Sequence, residues 1–154
     1  MKKFHPDRCF MINTDLDSFR RDYPEPSSVT PFSYWLAEGF AYVTPSPAVE
    51  TYDGALAELV VGDTVFAYEN LIGIVGMGTV LERPDLQPHF GITAVYPNPL
   101  EAVKRIKMSW NTSVNCTVDH ITAAGTTPRG GAIPLWRARS AKMKNLLAQL
   151  AANT

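Results

Sequence analysis

Three tryptophans are the side chains of this sequence best suited to hold a planar ligand. Trp35, Trp110 and Trp136 are widely separated along the chain. An exposed indole ring can stack on a nucleobase, whereas a buried one packs in the core. We expect Trp35 to be the best candidate, because it follows a proline-rich loop and loops on a rigid scaffold often carry binding groups. The alternative for each tryptophan is core packing.

A second candidate feature is a basic C-terminal third. Residues 1–100 contain six Lys/Arg and thirteen Asp/Glu, whereas residues 101–154 contain eight and two, and the net charge is −1. A strong non-specific nucleic-acid binder is usually basic overall, so the composition does not predict one. A local basic face can still contact phosphates, and Arg129, in a glycine-flanked loop, is the residue that we expect to point at a ligand. The alternative is an ordinary solvated surface.

Signals for catalysis or metal binding are weak. The three histidines, His5, His89 and His120, lie in no recognisable nucleophile motif. Cys9 and Cys116 match no metal-ligand spacing, which predicts two free thiols, partly buried. We therefore expect neither a cofactor nor a metal, and the sequence favours binding over catalysis.

The most distinct structural element is a predicted hairpin. Residues 64–68 (Thr-Val-Phe-Ala-Tyr) are rich in β-branched and aromatic side chains, which favours a strand. Residues 73–81 carry three glycines but lack the lysine of a P-loop and the strand–turn–helix context of a dinucleotide site. Glycines inside a strand mark a bulge or a close backbone approach, so we expect them to let the sheet bend.

The remaining pattern predicts an α+β fold. The C-terminal helix over residues 140–151 is the clearest, since Met143, Leu146, Leu147 and Leu150 recur at helical spacing. This mixture indicates a small curled sheet or pseudo-barrel with flanking short helices and a C-terminal helix. The other predicted helices cover residues 32–38 and 52–59, the other strands cover 9–14, 40–43, 92–96, 102–110 and 133–136, and 83–91 and 126–131 are predicted loops.

Length and hydropathy indicate the number of domains and the cellular location of the protein. A chain of 154 residues fits a single domain. No apolar segment follows the N-terminal lysines, and no stretch has the length of a membrane-spanning helix. We therefore expect a cytoplasmic protein without a membrane partner.

In their order these features resemble the PUA-like superfamily, and in particular its EVE-type domains. The resemblance covers about residues 9–123, and its most specific part is the stretch 62–80. The segments that carry it are the strand ending in small polar residues at 10–14, Tyr34-Trp35, the Gly-Asp-strand-Tyr unit at 59–68, the glycine-containing strand at 73–80, Glu82-Arg-Pro-Asp85, and the basic strand at 105–110 that ends in tryptophan.

The resemblance implies a pseudo-barrel with a pocket that binds a base, often a modified one, flipped out of DNA or RNA. Extraction of the base costs a few kcal/mol, which stacking and edge hydrogen bonds must offset. Carried over to this sequence, edge hydrogen bonds come from Asn13, Thr14 and Asn70, and stacking comes from Trp35 and Tyr68. The full candidate set is Asn13, Thr14, Trp35, Tyr68, Asn70, Trp110 and Arg129.

The sequence departs from the EVE pattern directly after Trp35. EVE-type domains carry an Arg-Asn pair there, whereas residues 36–40 read Leu-Ala-Glu-Gly-Phe and place an acid at Glu38. Two other functions therefore stay open. One is a small hydrolase acting on a nucleoside or amide, with Glu69 or Asp15 as its general base. The other is a protein-interaction domain with an exposed aromatic patch.

Overall fold

A curled, mixed β-sheet is the centre of the fold. The computed structural model describes residues 4–16, 19, 30–43, 52–92, 95–96, 100, 102–126 and 135–153. The strands in these ranges are β1 (Cys9–Asn13), β2 (Phe40–Val43), β3 (Thr64–Glu69), β4 (Gly73–Val80), β5 (Asp85–His89), β6 (Val103–Asn111), β7 (Cys116–Thr117) and β8 (Leu135–Arg137). The α-helices in them are α1 (Pro31–Glu38), α2 (Tyr52–Glu58), α3 (Val118–Ala123) and α4 (Ala141–Ala152).

The strand order sets the position of the candidate site. The sheet runs β2-β6-β4-β3-β1-β8, with β5 added to β6 and β7 added to β4. β1 lies parallel to β3, with Asn13 opposite Tyr68, whereas β3 pairs with β4 and β4 with β6 in antiparallel register. A parallel pair needs a long crossover connection, and the chain between β1 and β3 supplies it with α1, β2 and α2. The carboxyl ends of β1 and β3 therefore lie side by side at the same end of the sheet.

Both faces of the central strands are buried. Phe10 and Ile12 of β1 pack with Phe32 and Trp35 of α1, on what we call the α1 face. The alternate residue Met11 packs with side chains of α4, such as Leu147, on the α4 face. Strands covered on both sides read as continuous apolar runs, which explains the unbroken Cys-Phe-Met-Ile sequence of β1.

The predicted α+β class and curled sheet are confirmed, as are most of the predicted elements. Helix α1 begins with a capping box, in which Thr30 accepts from the Ser33 N–H and Ser33 reciprocates. It ends at Gly39, whose φ of 76° is the left-handed conformation that favours glycine. Helix α4 begins at the N-cap Ser140, which accepts from the Met143 N–H, as its sequence predicts.

Three assignments differ from the sequence prediction. The predicted loop at 83–91 contains strand β5, which pairs with β6. Among the described strands β5 pairs with β6 alone, and such an edge strand can contain a proline, here Pro88. Of the predicted strand at 92–96, the structure describes Ile92, Val95 and Tyr96, none of which is in a strand, and the Tyr96 N–H donates to the Ile92 carbonyl at 3.0 Å. Residues 118–123, a segment too short to assign from sequence alone, form α3, capped by Thr117. Most of the predicted loop at 126–131 lies outside the described residues.

Two glycines of β4 make room for aromatic rings on the α1 face. A Cβ atom on Gly76 would lie 2.6 Å from Cζ of Phe32, and one on Gly78 would lie 2.7 Å from Cε3 of Trp110. Both distances are too short for real carbon–carbon contacts. Gly76 and Gly78 therefore form a floor, which we call the glycine floor, on which the two rings lie.

Replacing Gly76 by alanine tests the glycine floor. We expect Gly76→Ala to lower the free energy of unfolding by about 1–3 kcal/mol, because the added methyl group overpacks the contact with Phe32. Urea denaturation measures this change. Truncating the ring in the double variant Gly76→Ala, Phe32→Leu removes the clash, so the two effects must be less than additive. Strict additivity would contradict the packing described here.

Candidate ligand-binding site

A buried polar cluster lies where β1, β3 and α1 meet. The Thr14 hydroxyl donates to Oε2 of Glu69 at 3.0 Å, and the backbone N–H of Phe32 donates to the same oxygen at 3.4 Å. Glu69 is 2% exposed and Thr14 is 1% exposed. An acid beside the first turn of a helix is favoured by the helix dipole. The carboxylate of Glu69 is therefore held in place by the parallel strand and by the start of α1.

An aromatic cluster adjoins this carboxylate through Phe32. We define the aromatic cluster as Phe32, Trp35, Tyr42 and Trp110. The Trp35 and Trp110 rings are stacked, with centroids 6.4 Å apart and an interplanar angle of 27°. Phe32 meets Trp110 edge-on at 5.0 Å, and Tyr42 lies 6.2 Å from Trp35. Desolvation in this cluster raises the pKa of Tyr42 well above its usual range.

The two stacked indoles differ in their hydrogen bonds. Nε1 of Trp110 donates to the Phe40 carbonyl at 3.1 Å. Nε1 of Trp35 is buried and has no hydrogen-bond partner among the described residues, and the whole residue is 0% exposed. A buried N–H without an acceptor costs about 1–3 kcal/mol. The Trp35 N–H is therefore a place where an added acceptor would be stabilising.

The sheet divides the predicted site residues between its two faces. Thr14, Trp35 and Trp110 belong to the α1 face, where Thr14 reaches Glu69. Tyr68 packs in the core of the α4 face, and alternation along β1 directs Asn13 to that face as well. The Asn13 side chain accepts the Asp15 N–H at 2.9 Å. The structure therefore does not place Tyr68 beside Trp35.

The environment of Trp35 also corrects a premise of the sequence analysis. Trp35 lies in helix α1, as the predicted helix at 32–38 requires, but it is fully buried and is therefore not the exposed, loop-borne stacking residue that we expected. The reason is that Thr30 and Pro31 start the helix immediately before the aromatic residues, and the i, i+3 spacing of Phe32 and Trp35 directs both rings to the sheet. Asn70 lies half-buried directly after β3, and Arg129 lies outside the described residues.

Glu69 is the site residue that sequence reasoning underrated. The sequence suggests Glu69 only as a general base for a hydrolase, whereas in the structure it is the residue to which Thr14 and Phe32 donate. The available signal was an acid at the end of an otherwise apolar strand. The sequence does not show that β1 and β3 pair in parallel, and this pairing brings Thr14 to Glu69, 55 positions further along the chain.

Part of the basic C-terminal third is neutralised by acids from the first hundred residues. Arg137, in the C-terminal third, donates from Nε to the backbone carbonyl of Asp7 at 2.9 Å. Lys144 lowers the pKa of Asp7, chiefly through the hydrogen bond between them. The ion pairs that join the two parts are Lys144–Asp7 at 3.0 Å, Arg137–Glu58 at 3.7 Å and Lys107–Glu82 at 3.4 Å. The charge asymmetry along the chain is therefore partly internal pairing.

The two cysteines belong to no metal-ligand cluster in the part of the chain that is described. Both cysteines are free thiols, as expected, with Cys9 buried and Cys116 half-buried. No group of three or more His, Cys, Asp or Glu side chains is arranged there to hold a metal ion. Within the same residues, no helix is long and apolar enough to cross a membrane.

Comparison with known proteins places the fold but not the function. No protein-family model and no curated protein matches this chain. Solved structures do. The chain is similar to Rpa0253 from Rhodopseudomonas palustris, with 10% identity, coverage of 95% of this chain and 94% of that one, and a TM-score of 0.52. It is similar to PSPTO5229 from Pseudomonas syringae, with 15% identity, coverage of 92% and 99%, and a TM-score of 0.52.

A weaker structural similarity is to a domain of a human protein. The DUF55 domain of human thymocyte nuclear protein 1 has 12% identity, coverage of 92% of this chain and 96% of that one, and a TM-score of 0.46. Because this TM-score is lower, the assignment of the fold rests on Rpa0253 and PSPTO5229, which are similar to this protein over nearly all of both chains.

Thiol labelling tests the burial of the two cysteines. Desolvation raises the pKa of Cys9 to about 11 and also raises that of Cys116, so both thiols react slowly at about pH 8 and access to the sulfur decides which is labelled first. We expect a maleimide to label half-buried Cys116 first and Cys9 only after unfolding, as followed by mass spectrometry. Equal labelling rates in the native protein would contradict the placement of Cys9 in the core.

Proposed function

We propose that this protein is a PUA-like, EVE-type module that binds a planar, base-like ring presented by a nucleic acid. The observation that carries the proposal is the buried Trp35 N–H, which finds no acceptor in the described part of the chain and belongs to an indole stacked on Trp110 in the aromatic cluster. Aromatic rings provide stacking, which is worth about 1–3 kcal/mol per base. The resemblance of the sequence to EVE-type domains supports the same ligand class.

The polar groups define what the ligand edge has to present. The Trp35 N–H requires an acceptor, such as a ring carbonyl. The Glu69 carboxylate accepts amino or imino protons, and in protein–DNA contacts acids accept from the amino group of cytosine. An acid at this position is thus compatible with a base ligand, although phosphate groups would be repelled by it. The proposed ligand is a base that carries both a donor and a carbonyl.

Binding at Trp35 requires a change of conformation. The indole has no exposed surface in the structure, so a ring can reach it only when the aromatic cluster opens. The binding-competent state is then a minor one, and the measured affinity falls by the fraction of that state. We therefore propose slow association, with the ligand replacing contacts within the aromatic cluster.

Tryptophan fluorescence tests the proposal. Oligonucleotides containing each of the four bases, 5-methylcytosine or N6-methyladenine are titrated at low salt. We expect saturable quenching by at least one of them, which Trp35→Phe weakens because that variant lacks the N–H but keeps a ring. Thr14→Val removes the hydroxyl that holds the Glu69 carboxylate in place, and we expect it to weaken binding about tenfold, because a displaced acceptor loses about one hydrogen bond to the ligand.

The matched control is Trp136→Phe, since Trp136 packs on the α4 face, away from the aromatic cluster. It removes one fluorophore but leaves the proposed site unchanged, so the affinity measured with it must equal that of the wild type. Absence of quenching by every oligonucleotide, with circular dichroism showing a folded protein, would overturn the proposal.

A further inference from the structure

A cleft on the α4 face of the sheet lies apart from the proposed base site. Its volume is about 360 Å³, and the residues that line it include Trp136, Arg137, Arg139 and Ser140. Trp136 packs in the core of the α4 face, whereas Trp35 packs on the α1 face. A small ligand in this cleft is therefore separated from the aromatic cluster by the sheet.

Two exposed cations in or beside the cleft are not neutralised by described acids. Arg139 lines the cleft, and none of the described carboxylates forms an ion pair with it. The same holds for Lys142, which lies in the first turn of α4. Arg137 and Lys144, by contrast, are held by hydrogen bonds to Asp7. The charges of Arg139 and Lys142 are therefore open to an anionic ligand.

The first turn of α4 adds to this positive charge. Acids are the residues favoured at the positive end of a helix dipole. The first turn of α4 contains no acid and carries Lys142 and Lys144 instead. The Ser140 hydroxyl accepts from the Met143 N–H, so its own proton can donate to a ligand. An anion beside this turn would offset the unfavourable placement of the lysines.

The indole of Trp136 is a second, independent indication of a ligand. The residue is only 9% exposed and lines the cleft. Its N–H donates to no acceptor within the described ranges, and it is not sealed from solvent as the Trp35 N–H is. A largely enclosed donor without an acceptor is costly. An oxyanion in the cleft would supply the acceptor without any change of conformation.

We propose that this cleft binds a phosphate group, either as inorganic phosphate or as the monoester of a small molecule. The guanidinium of Arg139, the Ser140 hydroxyl and the Trp136 N–H are all donors, and no acid is among the described residues that line the cleft. Hydrogen bonds from a guanidinium to phosphate oxygens are short and strong because both groups are charged. This site goes beyond the proposed function and does not depend on it.

Isothermal titration calorimetry at constant ionic strength tests the cleft with inorganic phosphate, ribose 5-phosphate and ribose. We expect saturable binding of at least one of the two phosphates and no binding of ribose. Arg139→Gln is expected to weaken phosphate binding about tenfold, since it removes a hydrogen bond between charged groups. Tighter binding of ribose 5-phosphate than of inorganic phosphate would identify a monoester as the ligand.

The matched control is Arg83→Gln, because Arg83 is also exposed and lies between β4 and β5, at the other end of the sheet from β8. It removes the same charge and should leave the affinity within about twofold of the wild type. Circular dichroism checks that both variants are folded.

Indole 15N–1H NMR locates the bound phosphate. We expect it to shift the Trp136 resonance and to leave that of Trp35 in place. Absence of binding, equal effects of Arg139→Gln and Arg83→Gln, or an unmoved Trp136 resonance at saturation would overturn the phosphate site. Each of these results leaves the proposed base site standing, since that site is tested separately with oligonucleotides that carry no terminal phosphate.

Discussion

The packing of two aromatic rings on the glycine floor is the constraint on which the site depends. Because Gly76 and Gly78 lack side chains, Phe32 and Trp110 can lie directly against β4. Phe32 thereby fixes the first turn of α1, whose backbone reaches the carboxylate of Glu69. Trp110 supports the stacked indole of Trp35. A larger residue at either glycine would displace the helix, the stack and the polar cluster together.

The parallel pairing of β1 with β3 gives the site its polar side and also limits it. It brings Thr14 to Glu69 at the shared carboxyl edge of the strands. Because successive side chains of a strand point to opposite faces, Asn13 and Tyr68 lie on the α4 face, whereas their neighbours Thr14 and Glu69 lie on the α1 face. The proposed site is accordingly smaller than the resemblance implied, with stacking supplied by tryptophans and the carboxylate supplied by β3.

The sequence predicted the elements whose signals are local, and missed features that depend on distant partners. The β3–β4 hairpin and α4 carry their own periodicity, turn and caps, so they could be predicted directly. Strand β5 is polar and contains Pro88, and only its pairing with β6 makes it a strand. The burial of Trp35 depends on Trp110, Tyr42 and the glycine floor, which a single sequence does not join.

The central claim is that the buried indole N–H of Trp35 is the point at which a base-like ligand is held. Indole 15N–1H NMR spectra separate the tryptophan side chains, and Trp35→Phe assigns the resonance of Trp35. The account predicts that a quenching oligonucleotide shifts the Trp35 resonance downfield, as its N–H gains an acceptor, while the Trp136 resonance stays in place. An unchanged Trp35 resonance at saturation would contradict it.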